Sequence, residues 1–565
     1  MTDTDFTQQS RIAYFSMEIA LQPDMPTYSG GLGMLAGDTV RSAADLSIPL
    51  VAVTLVSRAG YFRQHLDSDG HQQESPDTWE PHKFAKLLDA MIAIQIGGRP
   101  VWVAAWLYVY ACPRGKALPV LLLDTDLAQN HAEDRQITHS LYGGDDRYRL
   151  KQEVVLGIGG ARLLRALGYQ VSQYHLNEGH SALLTLELLR RAAHASEEMR
   201  TGDSVFDLFA VRRLCNFTTH TPVEAGHDRF AYDLVAEVLG DFIDLPTLKA
   251  LAGDTVLNMT RLALNMSHYI NGVAEKHAET SRLLFPGYPV HAITNGVHGP
   301  TWAAAPLAAL YDRHLPRWRH EPEILVRAEC CIPDAEVWGA HVAAKESLIA
   351  FVRERMGVTL RPDWPILAFA RRMTAYKRPL LLFSDLERLR AIARGRPFQL
   401  LLAGKAHPHD EQGKASIVEL HARLKQLAPD VPSAFIPNYD MTVAQYLVAG
   451  VDLWINTPAP PMEASGTSGM KAAFNGVPSF SVLDGWWLEG HIEGVTGWAI
   501  GDGRNGGDAE DSRVLYDKLE HHILPLYFEE RSKWIGVMKG AISKTASLFS
   551  THRMLRRYAS DAYLS

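Results

Sequence analysis

Two short stretches of this chain carry residue types suited to holding phosphate. The first runs from Pro461 to Gly476, where Glu463, Ser465, Gly466, Thr467, Ser468 and Gly469 lead to Lys471 and a stop at Asn475-Gly476. The apolar run Val451 to Asn456 before it reads as a strand, and the residues after Lys471 read as a short helix. Small residues between a strand's carboxyl end and a helix's amino end leave backbone N–H groups unpaired at the positive end of a helix dipole. That is an anion seat, which the hydroxyls of Ser465, Thr467 and Ser468 extend. A lysine in the first turn then fits a phosphate-bearing cofactor that the amine holds covalently. The second stretch is Arg371-Arg372-Met-Thr-Ala-Tyr376-Lys377-Arg378, four cations in eight residues at the end of the strand-like run Trp364 to Ala370. Arginine presents a fork to phosphate and lysine a point charge.

Each pattern has a plainer alternative: a lysine beside a common glycine turn, or a solvated basic loop. Ser468-Gly-Met-Lys471 also matches the S-x-x-K of penicillin-binding serine acyltransferases, which needs S-D-N and K-T-G partners. The chain offers only Ser384-Asp385-Leu386, upstream, and Lys544-Thr545-Ala546. His407-Pro-His409-Asp410 lies in a proline-containing loop and reads as surface, so no metal is expected.

The elements needed to position these groups are those of an α/β protein. Ile12 to Glu18 reads as a buried strand, Ser29-Gly30-Gly31-Leu32-Gly33 as a second glycine turn opening a helix to Leu46, and Pro49 to Val56 as a central parallel strand. Residues 60–130 read as hairpins and loops of a surface insertion. Leu141 to Asp146 is a polar turn before a helix from Arg149 to Leu167. Gln173 to His180 and Phe217 to Pro222 both read as strands ending in polar loops, which is where ligands bind on open α/β sheets. Met266 to Phe285 reads as helix, and His291 to His298 as strand running into loop. The composition turns irregular and proline-rich near 300. Strand-like runs then recur at 364–370, 399–405, 434–439 and 480–487, with a Gly/Asp-rich loop over 501–511 and helices over 513–560. The expected domains are 1–299, 300–530 and 531–565.

With 565 residues there is room for several domains. The net charge of −8 gives no support for a nucleic-acid partner. Cys112, Cys215, Cys330 and Cys331 show no C-x-x-C spacing and fit reduced thiols. The polar, acidic amino terminus is not that of a signal peptide, and the apolar run Val101 to Cys112 is too short to span a bilayer, so a cytoplasmic location without membrane contact is expected.

Taken together, Glu463 to Lys471 with Asn475-Gly476, Gly30-Gly31-Leu32-Gly33, Arg372 and Lys377, Thr219-His220-Thr221, Thr294-Asn295-Gly296 and Asn271-Gly-Val-Ala-x-x-His277 resemble the α-glucan (glycogen/maltodextrin/starch) phosphorylases. They occur in that family's order, and the similarity spans roughly residues 12 to 500. The resemblance implies the GT-B fold, two Rossmann-like domains facing across a deep cleft. It implies phosphorolysis of α-1,4-glucan by inorganic phosphate to glucose 1-phosphate with retention. It implies pyridoxal 5′-phosphate as a Schiff base on Lys471, with the 5′-phosphate, not the ring, doing the work.

Site roles follow from the same resemblance. Arg372, Lys377 and the Gly31 N–H would bind the phosphates, with Arg371, Gly466, Thr467 and Tyr439 around the cofactor. Glu463, Ser465, Gly466, Asn295, His220 and Asp146 would grip the sugar, beside Gly30 and Leu32. The His220 carbonyl would face the developing oxocarbenium charge. Two crowded phosphoryl groups would have raised second pKa values, near neutrality. The first core strand begins by Ile12, as in the short bacterial-type branch, leaving no room for the amino-terminal control segment of longer members. Asp440 follows Tyr439 where longer members have a cation, and Arg371 stands in place of a lysine. The resemblance leaves a homo-oligomer open. A sugar-nucleotide-dependent GT-B synthase shares the glycine loop but has no use for Lys471, and a non-catalytic glucan binder has no use for Lys471, Arg372, Lys377 and Glu463 together.

Overall fold

The structure is a computed structural model and describes residues 3–113, 115–194, 205–223, 226–428, 430–503 and 507–564. Its frame is two large sheets. Strands β1 (Ile12–Ser16) and β2 (Leu50–Leu55) are buried along their whole length, as expected of apolar runs covered on both faces. A short hairpin, β3 (Arg63–Leu66) and β4 (Gln72–Ser75), follows. Next come β5 (Lys86–Ile96), β6 (Arg99–Tyr110), β7 (Leu118–Asp124), β8 (Gln173–Asn177) and β9 (Cys215–Thr218). A small antiparallel pair, β10 (Arg229–Ala231) and β11 (Val256–Asn258), precedes β12 (Tyr269–Gly272) and β13 (Val290–Ala292).

The first sheet has the order β13-β12-β9-β8-β1-β2-β7-β6-β5. Its strands are parallel through β7, and β6 and β5 close that edge as an antiparallel hairpin. Much of the 60–130 region is therefore sheet edge, not a separate insertion. The second sheet comprises β14 (Ile366–Ala370), β15 (Gln399–Ala403), β16 (Ser433–Ile436), β17 (Leu453–Asn456), β18 (Ser479–Val482) and β19 (Gly497–Ile500). It is wholly parallel, in the order β16-β15-β14-β17-β18-β19.

In both sheets the chain winds outward from a first strand, returns, and winds out the other way. The reversal falls between β1 and β8 in one and between β14 and β17 in the other. Loops leaving the carboxyl ends of strands at such a reversal diverge and open a crevice. Those loops hold both phosphate-type stretches and the second glycine turn: β1 leads to Gly30-Gly31, β14 to Arg371–Lys377, and β17 to Glu463–Lys471.

Some elements differ from the sequence reading. Met266–Phe285 is not one helix: β12 sits between helices Met259–Asn265 and Glu275–Leu284 because Tyr269–Gly272 completes the ladder between β9 and β13. The helix holding Lys471 begins before it and covers only Ser468–Ala473. The loop expected over 501–511 is shorter, since helix Gly507–Lys518 begins inside it; residues 504–506 lie outside the described residues.

Contacts tie the two sheets together. The β3–β4 hairpin reaches the loops after β15 and β16, where Gln64 and Gln72 side chains donate to the Gly404 and Ala406 carbonyls (2.9 Å each) and Lys405 donates to the Phe62 carbonyl. The last helix, Thr551–Tyr558, packs Met554, Leu555 and Tyr558 into the same apolar cluster as Tyr14, Ala36 and Val40 of the first sheet's side. Among the described residues no helix is long and apolar enough to cross a membrane.

At the end of the second sheet remote from its crevice, Asp452 is fully buried. It accepts from Lys345 at 2.8 Å, His341 at 2.9 Å and the Ile366 N–H at 2.8 Å. Against the upward push of burial, Lys345 and His341 hold its carboxyl well below the usual range. Asp452→Ala strands a buried lysine, so urea unfolding should show a loss of about 3–5 kcal/mol. In the parent chain the contribution of Asp452 is present above the unfolded carboxyl value of 3.8 and lost as pH falls toward the lower folded value. A stability insensitive to both changes contradicts the role.

Candidate functional site

Where β14 ends, Arg371 and Lys377 turn onto one carboxylate from the β17 loop. Arg371 Nη2 and Lys377 Nζ each lie 2.6 Å from Glu463 Oε2, with all three side chains about nine-tenths buried. Against the upward push of burial, the two cations hold the Glu463 carboxyl down at about 2, while burial and Arg371 pull the Lys377 amine below the ordinary lysine range. One carboxylate serving two cations leaves the cluster net positive. Arg371 Nε and Nη1 and the Thr374 hydroxyl are buried without a partner. Buried donors in that state are costly unless an acceptor arrives.

The two loops are zipped together behind this cluster. Lys377 ends a single helical turn, stopped by Arg378 at φ +47. Arg378 donates to the Thr457 and Pro458 carbonyls, Thr457 donates back to the Lys377 carbonyl, and Ala459 N–H to the Tyr376 carbonyl. Asp484 accepts from the Glu463 N–H at 2.8 Å and so fixes the backbone of the glutamate. Gly466 has φ +80, the left-handed region that glycine tolerates.

Lys471 lies on the inner side of its six-residue helix, buried, with its Nζ 4.0 Å over the Trp302 ring. It makes no hydrogen bond or ion pair among the described residues. Burial holds its amine down to about 8, with Asp38 raising and Arg41 lowering it further away. Trp302 is itself fixed: its indole donates to Asp38 at 2.7 Å, and Asn475 bonds the Trp302 carbonyl, the Ala304 N–H and the Lys471 carbonyl. Ser468 is less free than its sequence position implies, because its hydroxyl accepts from Trp454.

The first sheet carries a second set of polar groups at its own reversal point. Helix Gly31–Asp45 begins at Gly30, and the amides of its first turn have no intrahelical acceptor. Nothing lies within 4 Å of where a Cβ would stand on Gly30 or Gly31, so this turn opens onto free space. Glu18 braces it: one oxygen accepts from the Ser29 and Gly30 N–H groups, the other from the Tyr142 hydroxyl at 2.9 Å. Gly33 is required there, since a Cβ would fall 2.6 Å from that carboxylate. Arg372 is solvent-exposed, forms no ion pair among the described residues, and acts electrostatically on Tyr61, Glu18 and Tyr142.

At β8 and β9, His220 donates its N–H to Glu178 at 2.7 Å, and its ring bonds Asn177. Burial drives the His220 ring down to about 3, so it is neutral, and pushes the Glu178 carboxyl up to about 7. Glu178 sits at φ 72, ψ 171, a region essentially reserved for glycine that costs on the order of 1–3 kcal/mol.

The structure thus brings Arg371, Lys377 and Glu463 into direct contact. Tyr439, half-buried, feels the Arg371 charge. Ser465 is buried and Thr467 precedes the Lys471 helix. Leu32 lies in the first turn after Gly31. Asn295 is buried, with its side-chain oxygen unpartnered and its carbonyl taken by Arg553. Asp146 stands apart, exposed at the start of a helix that Asp145 caps. Asp440 caps helix Met441–Gly450, which accounts for an acid where a cation was expected. Glu18, Trp302, Glu178 and Asp484 were not singled out in the sequence; Glu18 and Glu178 offered a signal by standing at strand ends. Among the described residues no cluster of three metal-binding side chains occurs.

The sequence model described as carbohydrate phosphorylase matches residues 245–493. The chain is 39% identical to maltodextrin phosphorylase of Thermococcus litoralis, over 98% of this chain and 70% of that one. It is 34% identical to glycogen phosphorylase of Aquifex aeolicus, over 99% and 86%, and 35% identical to that of Mycobacterium tuberculosis, over 98% and 70%. The chain belongs to the carbohydrate phosphorylase family. The Arg371–Lys377–Glu463 cluster is net positive and keeps unpaired buried donors, which is chemistry suited to an anion.

Glu463→Gln leaves two buried cations without their carboxylate, and urea unfolding should show a loss of about 3 kcal/mol. Millimolar inorganic phosphate should restore more of that loss than it adds to the parent protein, since a ligand bound only by the folded state stabilises it. Equal stabilisation of both proteins contradicts the anion seat.

Proposed function

We propose that this protein is an α-glucan phosphorylase. It transfers the terminal α-1,4-linked glucose of glycogen or maltodextrin to inorganic phosphate and releases α-D-glucose 1-phosphate with retention. The observation that carries the reading is the Arg371–Glu463–Lys377 cluster at the second sheet's reversal point, next in sequence to a buried lysine whose amine is held near 8. The relatives' names, maltodextrin and glycogen phosphorylase, supply the substrate class.

The proposed arrangement is GT-B: residues 1–299 and 300–530 as two Rossmann-like domains facing across a cleft, and 531–565 crossing back to the first. In this reading Lys471 holds pyridoxal phosphate, and Arg371, Gly466, Thr467 and Tyr439 surround it. The fit rests on an amine that contacts the Trp302 ring and makes no hydrogen bond or ion pair among the described residues, and on the orphaned donors of Arg371 and Thr374. When bound, the cofactor supplies through its 5′-phosphate a group able to pass a proton near neutrality.

The chain's residues do the rest. Arg372, Lys377 and the Gly31 N–H bind and orient inorganic phosphate. Glu463, Ser465, Asn295 and His220 hold the sugar, and the His220 carbonyl faces the charge developing at the anomeric carbon. Asp146, exposed at the start of its helix, is the further sugar contact that the resemblance implies. A sugar-nucleotide-dependent synthase remains the competing reading, and nothing in it calls for burying Lys471.

Incubation with maltodextrin and inorganic phosphate should yield glucose 1-phosphate, and borohydride reduction of cofactor-loaded protein should place one pyridoxyl group per chain on Lys471. Lys377→Ala should keep the fold and lose on the order of a hundredfold in kcat, as removal of one charge-stabilising donor does elsewhere. Absence of glucose 1-phosphate sinks the reading, an adduct elsewhere sinks the cofactor assignment, and wild-type turnover by Lys377→Ala sinks that residue's role.

A further inference from the structure

Beyond the residues assigned above, one side chain at the first sheet's reversal point has the geometry of a clamp. Glu178 directly follows β8, and its Oε2 accepts both the His220 N–H at 2.7 Å and the Thr221 hydroxyl at 3.0 Å. The two donors flank the His220 carbonyl, so a single oxygen sets the direction of that carbonyl. Its Oε1 accepts from the Gly179 N–H at 3.1 Å. From the other side His277 approaches the Thr221 backbone, and Asn177 takes the His220 ring at 2.7 Å. The backbone of Glu178 holds a conformation that suits glycine. A side chain kept there against strain points to a task for the carboxylate that glycine cannot perform.

We propose that Glu178 is a positioning residue: its carboxylate fixes the Thr219–Thr221 turn so that the His220 carbonyl faces the reacting sugar. This inference rests on the phosphorylase reading, since the carbonyl's task belongs to that reaction. A donor pair held by one oxygen also makes the effect specific to the sugar side. Phosphate is held by groups on the glycine turn and the second sheet, so it should be indifferent to Glu178.

The test uses the full-length, cofactor-loaded protein with Glu178→Gln and Glu178→Gly. Glutamine keeps the shape but replaces the carboxyl with an amide; glycine relieves the backbone and removes the acceptor. Hydrogen exchange at the His220 amide should accelerate at least tenfold in both. In the phosphorolysis assay kcat should fall at least tenfold, while KM for phosphate stays within twofold and cofactor content and the urea midpoint hold. Unchanged exchange overturns the clamp. Faster exchange with wild-type kcat, or a kcat loss matched by loss of cofactor or of the urea midpoint, overturns the positioning role. A parent protein without turnover fails the phosphorylase reading instead, and the two failures are distinct.

Discussion

The candidate site depends on one shared carboxylate. Glu463 holds Arg371 and Lys377 at 2.6 Å each and thereby binds the loop after β14 to the loop after β17. Without it two cations would face one another in a buried crevice, where repulsion is weakly screened. With it they are held in place yet still net positive, and Arg371 keeps two donors in reserve. The fold makes this possible because β14 and β17 are neighbours across the reversal in strand order. Residues nearly a hundred positions apart therefore emerge side by side, and Arg378 and Thr457 lock the arrangement from behind.

The first sheet repeats the geometry with different chemistry. Between β1 and β8 it offers an open glycine turn braced by Glu18 and a histidine turn clamped by Glu178. One side of the proposed cleft thus concentrates cations and an amine, and the other offers backbone donors and polar side chains. The trailing helix Thr551–Tyr558 packs on the first sheet's side, and Trp302, hydrogen-bonded to Asp38 of that side, lies under Lys471. Both parts thereby share in setting the environment of the lysine.

Much of this was legible in the sequence because the signals are local. A strand followed by small residues and a lysine, or by four cations, shows its chemistry without knowledge of the fold. The buried parallel strands β1, β2, β14, β15 and β17 announce themselves as apolar runs. What stayed hidden is tertiary. Tyr269–Gly272 forms a strand only because β9 and β13 stand on either side of it. Glu18 and Glu178 look like ordinary acids until the fold delivers backbone N–H groups to them. Trp302 sits in an irregular segment whose partner, Lys471, is far along the chain. Asp440 reads as a missing cation until the helix it caps is seen.

In the proposed reaction one phosphate both protonates the leaving glucan oxygen and attacks the carbon it leaves, so both events occur on the same face of the sugar. The product's configuration therefore reports directly on the face from which phosphate attacks. Real-time proton NMR of maltodextrin with inorganic phosphate and the cofactor-loaded protein should show α-glucose 1-phosphate as the first sugar product. Appearance of the β anomer, or of free glucose without phosphate uptake, would contradict the account.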